Sequence, residues 1–477
     1  FATKRMIPWQ QFYDSIKDSS WPGYDVETDF DQLPEKIQHE IIQVHGYLPG
    51  QYRQQSRLTH RKFPIQTATA CQLKWTWSTL FLTQAETASC HRTNHHKFDI
   101  KQFDFHNTPE KVHDREKMLQ GEWPDRGCDY CKNIESAGGQ SDRLTNLDLA
   151  GVHAPPELDQ DITATRVSPR ILEIYFDNLC NLKCVYCGPH FSSLWDAENK
   201  HHGEFRKNNL IISDSFHKDD NLEHTKQKLF EWLADNANKL TNFNILGGEP
   251  LFQPDFDRCL DFFSKYPAPD LDMQIFSNLN ATEQRVRSIV TKVRKLIDQR
   301  HIREFTVTAS LDCWGAEAEY ARFPLDLSVW KRNFEILLAE PWIKIIVGST
   351  ITPLTIKSLP DLIAQLNRWR KQRVVYHYFN SVNNPSYPFI DIMGDIFQDD
   401  FKAALEIMPT DTLEQKQTRE YLRGISLQSA SGKPNKEECL KLRTFLDEMD
   451  RRRHTDWRQC YPWLVPVFAN ILNEVDQ

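Results

Sequence analysis

From Arg170 to about Asn380 the chain alternates short apolar runs with longer stretches carrying a single apolar stripe. This alternation restricts the fold more than any other feature. The run ILEIYF sets Leu172, Ile174 and Phe176 on one face and Ile171, Glu173 and Tyr175 on the other. NFNILGG, MQIFSN, EFTVTASLD and KIIVGSTI are further strand candidates. The helical stretches between them are clearest from Arg285 to Gln299, where Val286, Ile289, Val290, Val293, Leu296 and Ile297 recur at helical spacing. Strands and helices that alternate with short links predict an α/β fold around a parallel sheet, open or closed into a barrel. After about residue 385 the signals turn helical. There Leu442, Phe445, Leu446 and Met449 form a stripe ahead of the run RRRH, as expected of a helical extension packed on the sheet.

Upstream, residues 1–65 are a lead-in with one expected helix, Asp31 to His45. From 66 to 150 the composition shifts to Cys, His and Trp with the strand-like run WTWSTLFL, and APPELDQDITATRVSPR has the character of a linker. The expected units are therefore 1–65, 66–150, 165–380 and 381–477. Hydrophobic residues make up 40% of the 477, enough for a sizeable core, and Lys+Arg 58 against Asp+Glu 66 leaves a net charge of −8. That balance argues against a protein built to grip nucleic acid backbone. No apolar run approaches the ~18 residues of a membrane-spanning helix, and the opening FATKRMIPWQQFYD lacks the apolar core of a signal peptide. The expectation is a soluble, cytoplasmic protein without membrane or nucleic acid partners.

Eleven cysteines narrow the chemistry. An odd number without a secretion signal does not suggest a disulfide framework, and a reducing compartment favours thiols kept for metal or catalysis. Cys180, Cys184 and Cys187 stand at C-x3-C-x2-C spacing directly after the first strand. Three thiolates on a loop leaving a parallel strand can wrap one corner of a four-iron cluster, leaving the fourth iron without a protein ligand. A zinc site, or three cysteines packed in a turn, are the alternatives.

The triad, with Tyr186 before its last cysteine, resembles the signature of the radical S-adenosylmethionine (radical SAM) superfamily. The resemblance runs from about Arg170 to Asn380 and implies a partial (β/α)6 barrel of TIM type. It also implies a 4Fe–4S cluster whose open iron binds SAM, splitting it to a 5′-deoxyadenosyl radical that abstracts hydrogen from an unactivated C–H bond. Gly247-Gly248-Glu249-Pro250, at the end of NFNIL, resembles the family's GGEP motif, whose backbone and carboxylate face the SAM amino group. Ser277 and Asn278 match polar residues near the SAM ribose and carboxylate, with a plain Ser/Asn turn as the alternative. Ser310 and Asp312 stand where relatives direct groups toward the ribose and the substrate. Arg322, in Glu319-Tyr320-Ala321-Arg322, resembles an arginine that pairs with the SAM carboxylate, a surface salt bridge being the bland reading.

Cys71, Cys90, Cys128 and Cys131 form a second set at C-x18-C-x37-C-x2-C spacing. Four thiolates satisfy either a closed cluster or a structural zinc. Their order, with Glu135, Gly138, Ser141 and Arg143 following, is similar to the auxiliary-cluster region of twitch or SPASM-like radical SAM proteins, which implies a second 4Fe–4S cluster in a small N-terminal domain. His91, His95 and His96 are expected to be surface residues, since the cysteines complete the set. Cys259 and Cys439 lie in helical runs and are expected to pack in the core. Cys313 follows Asp312 at the end of a strand, where a thiol could return hydrogen to a carbon radical; Cys460 is the reserve. The overall plan resembles peptide-modifying maturases, in particular proteusin-type epimerases. It implies a ribosomally made precursor peptide as substrate and an external electron donor such as flavodoxin or ferredoxin. Thioether or C–C crosslinking, C–H modification of a small molecule, and a non-catalytic iron–sulfur carrier are the alternatives.

Overall fold

The computed structural model describes residues 63–125, 127–136, 141–144, 154–213, 216–382 and 386–472. The expected helix Asp31 to His45 and Gly138 lie outside them. The framework is a nine-stranded open sheet. In chain order its strands are β1 (Trp77–Phe81), β2 (Glu86–Ala88), β3 (His96–Lys97), β4 (Ile171–Tyr175), β7 (Asn242–Leu246), β8 (Asp272–Ser277), β9 (Glu304–Ser310), β10 (Ile343–Ile351) and β11 (Tyr376–Ser381). The ribbon β5 (Phe205–Lys207) and β6 (Leu210–Ile212) stands apart. The spatial order is β11-β10-β9-β8-β7-β4-β1-β2-β3, with β1, β4 and β7 to β11 parallel, β2 antiparallel to β1 and β3 antiparallel to β2.

Strands β4 and β7 to β11 follow one another in space as in sequence, joined by crossovers that include the helices Leu222–Asn236, Pro254–Lys265, Glu283–Asp298, Leu327–Leu338 and Leu359–Arg370. Their helix-facing residues are Leu172, Ile174, Phe243, Ile245, Met273, Ile275, Phe305, Val307, Ile345 and Val347, all buried in one cluster with Leu229, Phe263, Val293, Phe334 and Leu362 of those helices. Phe243 meets Phe263 edge-on with centroids 5.4 Å apart, one of the contacts that seat a helix on the sheet. The opposite face is polar at the centre: Thr79, Glu173, Asn244, Gln274 and Thr306 stand side by side in register across five strands.

The cysteine-rich segment does not build a sheet of its own. Trp77 to Phe81 pairs in parallel with Ile171 to Tyr175, so the 150–165 division falls between neighbouring strands of one sheet. The run WTWSTLFL is strand only from Trp77, because Gln72–Thr76 completes a short helix. At the other end, Leu442, Phe445, Leu446 and Met449 of the helix Lys436–Arg453 are buried as expected. So are Arg452 and Arg453 of RRRH: Arg453 Nη2 donates to Glu198 Oε2 at 3.0 Å, and Arg452 Nε donates to Glu448 at 2.6 Å. Among the described residues no helix is long and apolar enough to cross a membrane.

Candidate active site

The loop that leaves β4 is held on three sides. Within it, Ser193 N donates to Asn178 O at 2.7 Å and Asn178 Nδ2 to Pro189 O at 2.7 Å. From the neighbouring strand, Glu249 N donates to Leu179 O at 2.9 Å. On the far side, Lys183 N and Val185 N donate to Phe323 O and Ala321 O at 2.7 and 2.8 Å. The segment holding Arg322 is thus stitched to the backbone between Cys180 and Cys187.

Cys180 is buried, and Cys184 and Cys187 are half-buried. Leu182 N lies 3.4 Å and Asn278 Nδ2 3.9 Å from Cys180 Sγ, both as donors. Burial pushes all three thiols up, Cys187 to about 12, with Glu249 adding to the effect at Cys180 and Arg322 opposing it at Cys184 and Cys187. Among the described residues no three Cys, His, Asp or Glu side chains converge on a single-ion site. Each protein thiolate of a four-iron cluster binds its own iron, so a cluster does not require them to share one point.

The Gly247-Gly248 turn shows why glycine stands there. Both have positive φ, +75° and +57°, and a Cβ on Gly248 would lie 2.2 Å from Leu179 O. The turn therefore presses on the cysteine loop. Pro250 is buried and opens a short 3-10 turn. Glu249 is buried; Oε1 accepts from Ser277 Oγ at 2.7 Å and Leu251 N at 3.0 Å, and Oε2 from Asn278 N at 2.6 Å. Burial raises its carboxyl to about 7 against those hydrogen bonds. The carboxylate, expected to face a ligand ammonium, ties the ends of β7 and β8 together, and Ser277 and Asn278 are its partners. Asn278 also donates to Asn181 Oδ1 at 2.9 Å.

Arg322 and Asp312 meet each other in this structure, where each was expected to meet a ligand. Arg322 Nε and Nη2 donate to the two Asp312 oxygens at 2.9 and 2.8 Å. Tyr186 Oη donates to Asp312 Oδ2 at 2.5 Å, and Thr350 N to Oδ1 at 2.9 Å. A buried carboxylate needs such donors, and Arg322 supplies the charge that neutralises it. Ser310 is half-buried at the end of β9 and accepts from Trp330 Nε1 at 3.2 Å through its carbonyl.

Cys313 is 0% exposed. Burial pushes its thiol well above the usual range, opposed by the hydroxyl of Ser358. It points into the core, although the adjacent Asp312 faces the cysteine loop. Cys460 is half-buried, its thiol raised to about 12 by burial. Both sulfurs lie within electrostatic reach of Tyr461. Cys259 and Cys439 are buried in the core as expected.

The second set draws on three segments: Cys71 caps the helix Gln72–Thr76, Cys90 follows β2, and Cys128 and Cys131 open the helix Asp129–Ser136. Burial, followed by the neighbouring thiols, raises Cys71 to about 12; burial likewise raises Cys128 to about 11. Near them lie three buried basic side chains, Lys74, Lys111 and Arg115. Lys74 pairs with Asp114 at 2.5 Å. Among the described residues, Lys111, 1% exposed, donates to the hydroxyls of Ser78 and Thr87 at 2.9 and 2.7 Å. Arg115, 0% exposed, meets the carbonyls of Lys74, His106 and Thr165 and the side chains of Asn107 and His106. Burial lowers both, Arg115 to about 9. Lys74 senses Cys90 and Cys128, and Lys111 senses Cys90. The histidines have partners of their own: His91 lies 3.4 Å from Asp142, His95 stacks on Phe81, and His96 bonds Thr108. Glu135 pairs with Arg143, and Ser141 donates to Glu135.

Gln253 is a residue that sequence reasoning missed. Its Nε2 donates to Gly247 O at 2.5 Å and to Asp177 O and Leu179 O at 3.2 and 3.3 Å, clamping the glycine turn to the cysteine loop. A glutamine directly after a proline-containing turn has no spacing signature that announces this. Beside it, Asn181, Leu251, Phe252, Pro254, Ala281 and Arg285 help line an open cavity of about 430 Å³ on the outside of the loop.

No family model and no curated protein matches this chain. Among solved structures, one titled "Native anSMEcpe with bound AdoMet and Kp18Cys peptide" superposes with a TM-score of 0.29 at 15% identity, over 50% of this chain and 57% of that one. The chain thus spans just over half the length of that structure, and so loose a superposition transfers neither fold nor activity.

Proposed function

We propose that this chain is a radical SAM enzyme that modifies a peptide at a carbon–hydrogen bond, and that the modification is L-to-D epimerisation. The observation that carries the reading is the clasp around Cys180, Cys184 and Cys187: the loop after a parallel strand, gripped by the Gly247-Gly248 turn on one side and by the Arg322 segment on the other. Two N–H donors aimed at Cys180 Sγ suit a sulfur that carries negative charge. Thiols pushed up by burial give up their protons only to a strong cation, and iron is one.

A 4Fe–4S cluster bound there with SAM supplies the carbon-centred radical that removes a substrate hydrogen. The chain's own groups hold the components. Gly247 and Gly248 let the main chain come close, while Glu249, Ser277 and Asn278 form one polar wall. Tyr186, Ser310, Asp312 and Arg322 form the other, with Arg322 offsetting charge next to Cys184. At the second set, Arg115 is buried on carbonyls and neutral side chains, and Lys74 senses Cys90 and Cys128, which fits four thiolates that together carry negative charge around a second 4Fe–4S cluster. Zinc with four thiolates would carry similar charge, so metal analysis separates the two.

Epimerisation needs a thiol that returns hydrogen to the opposite face of the substrate carbon. The thiyl left on Cys313 or Cys460 then takes one electron and one proton, the electron coming from an external donor of flavodoxin or ferredoxin type. The complete burial of Cys313 favours a second reading, in which no protein thiol quenches the carbon radical and the substrate itself closes a thioether or C–C bond, releasing a proton and passing a second electron to an external acceptor of flavodoxin or ferredoxin type. Anaerobic reconstitution followed by SAM and dithionite tests the enzyme reading. It predicts about eight irons per chain, half lost on replacing Cys180, Cys184 and Cys187 with Ala, and 5′-deoxyadenosine from the wild type alone. No 5′-deoxyadenosine would leave an iron–sulfur carrier; four irons accompanied by zinc would remove the second cluster.

A further inference from the structure

The sheet face turned away from the helices is unusual for parallel strands, which are ordinarily apolar on both sides. Thr79, Glu173, Asn244, Gln274 and Thr306 occupy one level of it, on β1, β4, β7, β8 and β9, each in register with the next. Tyr175, Leu246, Phe276, Ile346 and Tyr378 around this row are only half-buried, while Thr79, Glu173, Asn244 and Thr306 within it are buried. The row is not internally satisfied. Gln274 Nε2 donates to Thr308 Oγ1 at 2.8 Å, and Glu173 Oε1 accepts from Thr79 Oγ1 at 3.1 Å. Asn244, 6% exposed, leaves Oδ1 without a partner among the described residues. Glu173, 7% exposed, has Thr79 as its one hydrogen-bond donor among the described residues. Two acceptor-bearing side chains one strand apart, about 4.8 Å, therefore have capacity for further donors beyond Thr79, with His91 within electrostatic reach of Glu173.

We propose that Glu173 and Asn244 seat a basic side chain of the substrate, a lysine or arginine. The inference rests on the reading of this chain as a peptide-modifying enzyme and names what that peptide presents. An ammonium or guanidinium brings several N–H donors on one cation, which a carboxylate and an amide carbonyl side by side can share. Length fits as well. Glu173 lies two residues before Tyr175, about 7 Å below the edge where the cysteine loop begins. A peptide backbone at that edge reaches Glu173 with a lysine or arginine stem, whereas Ser, Asn or His side chains are too short. The flanking groups suit an apolar stem: Tyr175 and Tyr378 both lie within electrostatic reach of Glu173, and the bare Gly348 leaves room for the Tyr378 ring.

A random dodecapeptide phage library panned against the full, cluster-reconstituted chain tests this. The wild type should enrich peptides sharing one Lys or Arg. Replacing that residue with norleucine in a synthetic copy should weaken binding about ten- to a hundredfold. Glu173→Gln should lose the preference, and Glu173→Lys should enrich Asp or Glu instead. Enrichment without a shared basic residue, or the same preference in the wild type and Glu173→Gln, overturns the proposal. Release of 5′-deoxyadenosine by the wild type, measured on the same preparation, reports separately on the enzyme reading.

Discussion

Arg322 and Asp312 lock together by two hydrogen bonds of 2.9 and 2.8 Å in a place almost closed to water. The pair fastens the end of β9 to the segment that backs the cysteine loop. Removing either partner strands a buried charge, which costs about 3–5 kcal/mol. Arg322→Met and Asp312→Leu should each lower the urea midpoint sharply, and the double variant should recover part of the loss. Additive losses in that double-mutant cycle would show that the two residues are not coupled.

Gly248→Ala tests the clamp on the cysteine loop. Its Cβ would sit 2.2 Å from Leu179 O, at a φ of +57° that costs an alanine about 1–3 kcal/mol before any clash. The loop must shift, so iron retained per chain after reconstitution should fall at the triad. Gly188→Ala, one residue past Cys187 and with nothing within 4 Å of its Cβ, is the control and should retain full iron. Equal iron in both variants would show that the turn does not shape the loop.

The parallel core was legible because its strands carry purely apolar helix-facing sets, such as Phe305, Val307 and Ala309, and its helices long stripes, such as Val286 to Leu296. β11 was not, since Tyr376, His377 and Tyr378 alternate faces without alternating polarity in any obvious way. The cysteine sets could be read from spacing. The partners of Glu249, Asp312 and Arg322 could not, because each buried charge takes whichever donor or acceptor the fold brings nearest, and those lie 28, 10 and 126 residues away in the cases of Ser277, Arg322 and Tyr186. Side-chain direction was equally hidden. Nothing in the local sequence says that Asp312 faces the loop while Cys313 faces the core.

Stability should depend on pH through Glu173. Burial raises its carboxyl from 4.5 to about 7, so the folded chain binds a proton there more tightly than the unfolded chain. The contribution is fully present below pH 4.5 and is lost as pH rises toward 7, by about 3 kcal/mol. Glu173→Gln, which cannot ionise, should flatten that part of the profile in urea denaturation of the ligand-free chain. An unchanged slope would assign the titration to another group.

Lys74 should tune the metal at the second cysteine set. Against burial, Cys128, Asp114 and Cys90 hold its ammonium above the usual range. A buried cation favours the more negative, reduced state of a nearby cluster. Lys74→Met keeps the bulk of the side chain and removes the charge, so the midpoint potential of that cluster should fall by something on the order of 60 mV, equivalent to ~1.4 kcal/mol for one electron. Electrochemical titration followed by electron paramagnetic resonance reads this directly. A potential that does not move would mean that Lys74 is screened from the metal, and a zinc-filled site would give no signal to follow.

The hydrogen donor is decided by comparing Cys313→Ser with Cys460→Ser. A thiol S–H is weak enough to yield its hydrogen to a carbon radical, whereas a serine hydroxyl is not, so each variant keeps the shape and removes only the reactivity. Cys313 has no exposure and neighbours Ser358; Cys460 is half-buried, and both flank Tyr461. If Cys313 is the donor, its variant should still release 5′-deoxyadenosine but form no D-residues, which requires the surrounding core to open when peptide binds. If Cys460 is the donor, its variant alone should show that split, and Cys313→Ser should epimerise at the wild-type rate. Reactions in deuterium oxide add the decisive mass readout: one unit gained per epimerised residue, two lost per crosslink. Products two units lighter, with both serine variants as active as the wild type, would replace epimerisation with crosslinking and leave the two thiols as packing residues.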